Sequence, residues 1–411
     1  MSTPQTFKWL WIGYVWPEEQ SSAAGVRTLE LIRYLVKNGQ EIHFVSAAKN
    51  EKNAPALAEL GVKTHPVLLN HSSFDQLVEE LAPEIVVYDR FISEEQFGWR
   101  VRKSAPQAMS ILDTQDLHFL RRARQKGSQE YLGDDFYREM ASILRCDQTL
   151  LVSDYEESFL KYEVNLESDL LETVPIGYMV SPLAATPFEE RKNFCWLGNF
   201  QHQPNQDGLR VFLNEVWPLI FQKKPDAEIH VYGAYMTQEF SERNNPKKGI
   251  HMKGWVKDPL EMLAKHRVNL APLRFGAGTK GKVTQGWSAG TPVITTSIGS
   301  EGLVRGGRFA GSIVSLDTPE SFAEACISLH EDQTDWQAKH EMGISLIQKY
   351  FNPDQIGERF LTKVIQLQAK LEEHRKKHWM SSLLNLQSLR SNEYFSRWIE
   401  AKESQPRVDS E

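Results

Sequence analysis

The chain of 411 residues, 41% hydrophobic and 25% charged, has an ordinary soluble composition and a length suited to two or three domains. Its formal net charge of −7 supplies no basic field of the kind that wraps nucleic acid, whereas a small anionic ligand stays open because its site is local. Three widely spaced cysteines, Cys146, Cys195 and Cys326, include no C-x-x-C pair for zinc or redox work, so inert buried thiols in a reducing compartment are expected.

The opening run KWLWIGYVWPEEQSSAAG imitates a secretory signal, but its apolar part is short and an acidic pair, Glu18-Glu19, follows. A first β-strand explains it better. No stretch approaches the 18 or more apolar residues of a membrane span. The expectation is a cytoplasmic protein, at most peripheral to a membrane.

Strand-like runs then alternate with helical patterns, which implies parallel sheets of βα units. The first series is FKWLWIGYV, EIHFVSA, THPVLL, EIVVYD, AMSILDT and TLLVSD. Between its first two members Val26, Leu29, Ile32 and Val36 recur at helical spacing, and Gly39 after Asn38 is a helix stop. A Pro- and Ala-rich stretch, VPIGYMVSPLAATPFEERKN, separates this series from a second: FCWLGN, EIHVYG, GIHMKGW, VNLAPL, PVITTS and SIVSL. Asn352 and Pro353 form a cap and a first-turn proline before a helical segment too long for one globular helix. The fold expected is α/β, two doubly wound Rossmann-like domains with a long C-terminal helical segment. The first domain spans 1–178, a linker 179–193, the second domain 194–351, and helices 352–403 return to the first domain. A disordered tail, 404–411, ends the chain.

Residues 272–303, PLRFGAGTKGKVTQGWSAGTPVITTSIGSEGL, carry the most chemistry. Gly276, Gly278 and Gly281 spell G-x-G-x-x-G, and Glu301 lies twenty residues further on, the spacing of a dinucleotide fingerprint. That fingerprint opens the first βα unit of its domain, whereas this one follows the fourth strand of its series. A strand, a glycine turn and a helix from about Gly281 to Ala289 aim backbone N–H groups at an anion under either reading. Arg274, Lys280 and Lys282 add positive charge suited to a diphosphate leaving group. The alternative for Lys280 is a surface lysine on a tight turn. Ser300, Glu301, Gly302 and Leu303 end the next strand, where open α/β sheets place ligands, and the alternative for Glu301 is a carboxylate at a helix N-terminus. Earlier in the chain, Gly25 and the amide of Val26 begin a helix and form a second anion site, which Arg27 either joins or leaves as a solvated first-turn residue. In ILDTQDLHFLRR a strand ends at Asp113, and Asp116 and His118 follow; His118 either faces a cleft, where its imidazole polarises a hydroxyl, or is structural. Asp89-Arg90 is an ion pair or an acceptor contact at another strand end. No D-x-D occurs, so no metal-held diphosphate is expected.

In this order, the parts resemble a retaining GT-B glycosyltransferase of family 4, from about Trp9 to Ile365 and most strongly from Phe194 to Leu303. WLGNFQHQPNQDGLRVFLNEVWPLI is similar to the opening of that family's donor domain, and PLRFGAGTKGKV…SAGTPVITTSIGSEGL to its nucleotide-sugar loop. The resemblance implies two domains facing across a cleft and a UDP- or GDP-linked sugar as substrate. It implies neither metal nor other cofactor, and a glycan, lipid-linked or small-molecule acceptor. Donor contacts would come from Gly198, Asn199, Arg274, Gly276, Gly278, Thr279, Lys280, Lys282, Gln285, Ser300, Glu301, Gly302 and Leu303. Gly25, Val26 and Arg27 would meet the phosphates or acceptor, and His118 with Asp116 the transferring sugar. Two family glutamates correspond here to Ala277 and Gln285, and a family arginine to Asn199. These departures keep a second reading open, a weakened nucleotide-sugar-binding protein, with an NAD-dependent oxidoreductase as a third.

Overall fold

The computed structural model describes residues 5–18, 23–49, 55–128 and 130–403. The expected tail, 404–411, and residues 19–22 of the first loop lie outside the described residues.

Two parallel sheets account for the two series of apolar runs. In the first, β1 (Lys8–Gly13), β2 (Glu41–Ser46), β3 (Lys63–Pro66), β4 (Ile85–Asp89), β5 (Met109–Asp113), β6 (Gln148–Leu151) and β7 (Leu171–Thr173) take the order β3-β2-β1-β4-β5-β6-β7. In the second, β8 (Lys192–Leu197), β9 (Ile229–Tyr232), β10 (Ile250–Gly254), β11 (His266–Ala271), β12 (Val293–Thr295) and β13 (Gly311–Ile313) take the order β10-β9-β8-β11-β12-β13. Both orders reverse direction beside the first strand, and that switch point opens the crevice where doubly wound sheets bind ligands. Central strands such as β4, IVVYD, and β5, MSILD, are buried along their whole length, since helices cover both faces and select unbroken apolar runs. β7 escapes the sequence pattern because three edge residues, Leu-Glu-Thr, show neither a run nor an alternation.

The helix after β1 runs Ala23–Lys37, with its periodic Leu29 and Ile32 buried and Gly39 at φ +76° beyond its end. The chain leaves the second domain at Phe351, whose carbonyl accepts the Tyr178 N–H at 2.8 Å. The Asn352 side chain then caps the Pro353–Gln368 helix by accepting the Gln355 N–H. This helix packs on Ala23–Lys37 and sends Ile356, Phe360, Leu361 and Val364 into the core that holds Trp9, Leu35 and Ile85. The segment breaks into Leu371–Lys377 and Trp379–Glu403, and the last packs against Arg90–Ser104 and Asp134–Arg145 of the first domain. All three cysteines are buried and unpaired, and burial pushes their thiols up.

Candidate functional site

The carboxyl ends of the two sheets face one another across a cavity of about 430 Å³. The second domain lines it with Gly198 and Asn199 after β8, Gly233 after β9, Leu273 and the turn from Phe275 to Gly281 after β11, and Lys282 and Gln285 of the Gly281–Ser288 helix. The first domain contributes Ala23, Ala24 and Val26, Arg90 after β4, and Gln115, Asp116 and Arg121 after β5.

The glycine turn has the shape it has because Gly276 (φ +146°) and Gly278 (φ +70°) sit where an L side chain is strained. A Cβ on Gly278 would also stand 3.0 Å from the Cβ of Asp116, so the turn presses against the opposite domain. Contacts between the domains hold it there. The Gly278 N–H donates to Glu156 Oε1 at 3.0 Å, and the Thr279 hydroxyl donates to the Val152 carbonyl at 2.6 Å. Arg124 grips Glu301 with both nitrogens, at 2.7 and 2.9 Å, and donates to the Gly276 carbonyl at 2.7 Å. Arg305 pairs with Asp154.

Two lysines, Lys280 in this turn and Lys282 in the helix after it, dominate the electrostatics. Lys280 is 8% exposed, and its ammonium donates to the Gly278 carbonyl at 2.5 Å. Lys282 Nζ donates to Asn205 Oδ1 at 2.7 Å and lies over the Trp196 ring. Neither has a carboxylate within ion-pair distance among the described residues. Burial, reinforced by the charge of Lys280, brings the Lys282 amine down to about 7. Burial lowers Lys280 too, against the opposing pull of Glu301 and Glu156. Burial likewise lifts Glu156 to about 7. Desolvation, with Arg121 beside it, takes His202 down to about 4. Burial opposes ionisation of Asp116, but His118, Arg121, Arg90 and His202 outweigh it and hold this carboxyl below its ordinary range. The cleft is therefore positive around one ionised carboxylate, and suited to an anion with several charges.

Of the residues singled out from sequence, Gly198, Asn199, Gly276, Gly278, Thr279, Lys280, Lys282, Gln285, Val26 and Asp116 line this cavity, as does Ala277. Lys280 is no surface lysine. The rest lie elsewhere, each for a physical reason. His118 is buried behind Asp116, with Nδ1 3.1 Å from the Asp116 carbonyl and 3.4 Å from Glu139, and its ring edge on Phe91. Arg27 is neither solvated nor at the cavity: it is 1% exposed, and its guanidinium clamps both Asp113 oxygens at 2.5 and 2.6 Å. Gly25 borders a separate small pocket, where a Cβ would stand 2.2 Å from the Glu18 carbonyl. Arg274 is half exposed and bidentate to Asp207. Glu301 follows the short Ser297–Ser300 helix, at its C-terminal end, so no N-terminal dipole holds it and Arg124 does. Gly302 packs on Ser153, Ser300 is buried with its hydroxyl donating to the Ser297 carbonyl, and Leu303 is core. Nor are all the turn's amides free, since Gly278 spends its own on Glu156.

Sequence reasoning missed Gln115, Arg121, Tyr178, His202 and Asn205, and it left Arg90 undecided. Arg90 (φ +68°) and Gln115 (φ +62°) carry the left-handed conformations that turn the chain at the ends of β4 and β5. Gln115 Nε2 donates to Asp89 and Asp113 at 3.0 and 3.1 Å. A polar residue one or two positions past a buried parallel strand was the available signal.

Residues 191–332 match the family model described as "Glycosyl transferases group 1". No curated protein matches the chain. Among solved structures, sucrose-phosphate synthase from Thermosynechococcus elongatus superposes with a TM-score of 0.70 at 14% identity, over 88% of this chain and 99% of that one. HepE from Anabaena, in complex with UDP and glucose, gives 0.67 at 10% identity, over 87% and 99%. The lipopolysaccharide outer core galactosyltransferase WaaB, in its apo form, gives 0.60 at 13%, over 87% and 99%. The chain has the GT-B fold, and its second domain is of the glycosyltransferase group 1 type. Among the described residues no helix is long and apolar enough to cross a membrane.

Proposed function

We propose that the protein transfers a glycosyl group from a UDP- or GDP-linked sugar to a hydroxyl acceptor held against the first domain. The observation that carries this is the pair of cleft lysines, Lys280 buried and Lys282 half-buried, which have no carboxylate partner among the described residues. Desolvation makes these two amines costly to charge, and a diphosphate is the ligand that offsets that cost. The domain type of residues 191–332 and the UDP and glucose bound in HepE support the same reading.

The chemistry follows from where charge moves. As the bond between sugar and diphosphate breaks, negative charge grows on the leaving oxygen, and Lys280, Lys282 and the first amides of the Gly281–Ser288 helix are in place to stabilise it. Arg90 and Arg121 add charge from the first domain. Asp116, kept ionised by its neighbours, accepts a hydrogen bond from the incoming hydroxyl and orients it. Departure and attack on the same face give retention, as in family 4; the hydroxyl proton passes to the departing diphosphate oxygen, and the lysines supply the charge without a metal. The expected setting is the cytoplasm, and the exposed Trp379, Leu386 and Phe395 of the last helix support peripheral contact with a membrane.

A second reading is favoured by one feature: Ala277 and Gln285 line the cleft where the resembled family carries carboxylates. On it the protein binds a nucleotide sugar and turns it over slowly or not at all. Incubation with UDP- and GDP-sugars separates the two. Release of free nucleoside diphosphate, undiminished by a chelator and reduced in Lys280→Ala, supports transfer. Tight binding without release over hours supports the binding protein. No melting shift with either nucleotide, or a larger one with NAD, sinks both.

A further inference from the structure

Each domain carries the same tripeptide at its second strand, Glu41-Ile42-His43 within β2 and Glu228-Ile229-His230 leading into β9, which starts at Ile229. Alternation along a strand puts the glutamate and histidine on one face, and a histidine of the neighbouring edge strand joins each pair: His65 on β3, His251 on β10. The two clusters differ in how the glutamate is paired. In the first, the Lys63 ammonium lies 2.8 Å from Glu41 Oε1 and supplies a cation. In the second, no lysine or arginine lies within ion-pair distance of Glu228 among the described residues.

The hydrogen-bond chain behind the second cluster leaves two acceptors facing one another, a gap that a bound cation fills. His266 Nδ1 is 2.7 Å from the Met262 carbonyl, so it donates there and leaves Nε2 as an acceptor. His230 Nδ1, 2.9 Å from His266 Nε2, donates in turn. In the neutral imidazole His230 Nε2 then bears a lone pair, and it faces a carboxylate oxygen, Glu228 Oε2, at 3.1 Å. Two acceptors oppose one another. The buried Nε2 of His251 makes no hydrogen bond and stands 3.7 Å from Glu228 Oε1. Asn193 Nδ2 donates to Glu228 Oε2 at 2.9 Å and fixes the carboxylate.

We propose that Glu228, His230 and His251 bind a divalent ion of the zinc type, at the edge of the second sheet and outside the substrate cleft. One ligand atom from each lies within 4.8 Å of the others. Bonds of about 2.0–2.1 Å in a tetrahedron place ligand atoms roughly 3.3 Å apart, close to the Nε2–Oε2 separation seen here. Two imidazoles and one carboxylate form a borderline donor set that suits zinc over magnesium or calcium. His266 acts from behind: by accepting from Nδ1 it keeps His230 in the tautomer that presents Nε2 to the metal. None of the four residues lines the cavity between the domains, so the ion ties the edge strand β10 to β9 and takes no part in glycosyl transfer. A third cluster, Asp169, His374 and His378, meets the same distance criterion, but the Lys377 ammonium sits 2.5 Å from Asp169 and occupies it as Lys63 does Glu41.

Zn²⁺ titrated calorimetrically into the full chain tests this, with Co²⁺ absorption as a report of coordination. The wild type should bind Zn²⁺ at low micromolar concentration or tighter and melt at a higher temperature with it. His251→Ala and Glu228→Gln should weaken binding at least tenfold and lose the melting shift, while His378→Ala keeps both. His251 is partly exposed on an edge strand, so its alanine variant should fold; circular dichroism checks this, and His251→Gln replaces it otherwise. Wild-type affinity in folded His251 and Glu228 variants, or a wild type that binds no Zn²⁺, overturns the site. Either result leaves the nucleotide-sugar reading intact, because UDP binding is measured separately.

Discussion

Lys282 makes nucleotide binding a proton-linked event. Its amine titrates near 7 in the ligand-free cleft, where an ordinary lysine titrates at 10.5. A diphosphate beside it reverses the cause of the shift and returns the amine toward the charged form. The terminal phosphate of UDP completes its own ionisation near about 6, so above pH 7 the charge of the ligand is constant and any pH dependence belongs to the protein. If the bound amine titrates at about 9, UDP affinity falls about 25-fold between pH 7 and pH 9; if it regains about 10.5, the fall is about 50-fold. At pH 8 close to one proton is taken up per UDP bound. Calorimetry in two buffers of different ionisation enthalpy reads that proton directly. Lys282→Met should lose most of the pH dependence, leaving what Lys280 contributes, and bind UDP more weakly at pH 7. The same variant should melt higher without ligand. The sign follows from linkage: a folded-state amine below its unfolded value costs stability at pH 7, a cost relieved as pH rises toward 10.5, and methionine removes it at every pH. One pKa unit is worth about 1.4 kcal/mol, so even a fraction of the shift is measurable. Affinity constant within twofold from pH 7 to 9, with no buffer dependence, refutes the account.

Gln285→Glu should tighten UDP binding by about two- to thirtyfold, because a charged acceptor makes a hydrogen bond worth roughly 1.5–3 kcal/mol against about 1 for a neutral one; unchanged calorimetric affinity removes Gln285 from the ligand. Asp116→Asn should lower turnover roughly 10²-fold with UDP affinity nearly unaltered, and a steady-state comparison showing equal kcat returns Asp116 to a structural part. Glu156, lifted by burial to about 7, gives stability that is full below the unfolded value near 4.5 and lost as pH rises through 7. Glu156→Gln keeps an acceptor for the Gly278 and Leu117 amides and should flatten that loss, so its melting temperature exceeds the wild type's at pH 7.5 and not at pH 5; parallel melting profiles would show that Glu156 is already neutral or already paired.

What could be read from the residues alone was whatever neighbours along the chain decide. Apolar runs mark the central strands buried on both faces, such as β4 and β5, and shorter apolar stretches locate the rest of β1 to β6 and β8 to β13, while three-residue β7 leaves no such mark. Asn352 before Pro353 marks a helix start, and paired glycines mark the turn after β11, because backbone conformation is a local property. The cleft is not local. Its Arg90, Gln115, Asp116 and Arg121 come from one sheet and its Lys280, Lys282 and Gln285 from the other, and no spacing in the sequence records that Gly278 rests on Asp116. Charge obeys the same division. Arg27 and His118 looked like ligands by position at a helix start and a strand end, yet the packing of Asp113 and Glu139 behind them claimed both. Lys282 is an unremarkable lysine until burial removes its water, and burial belongs to the closed pair of domains.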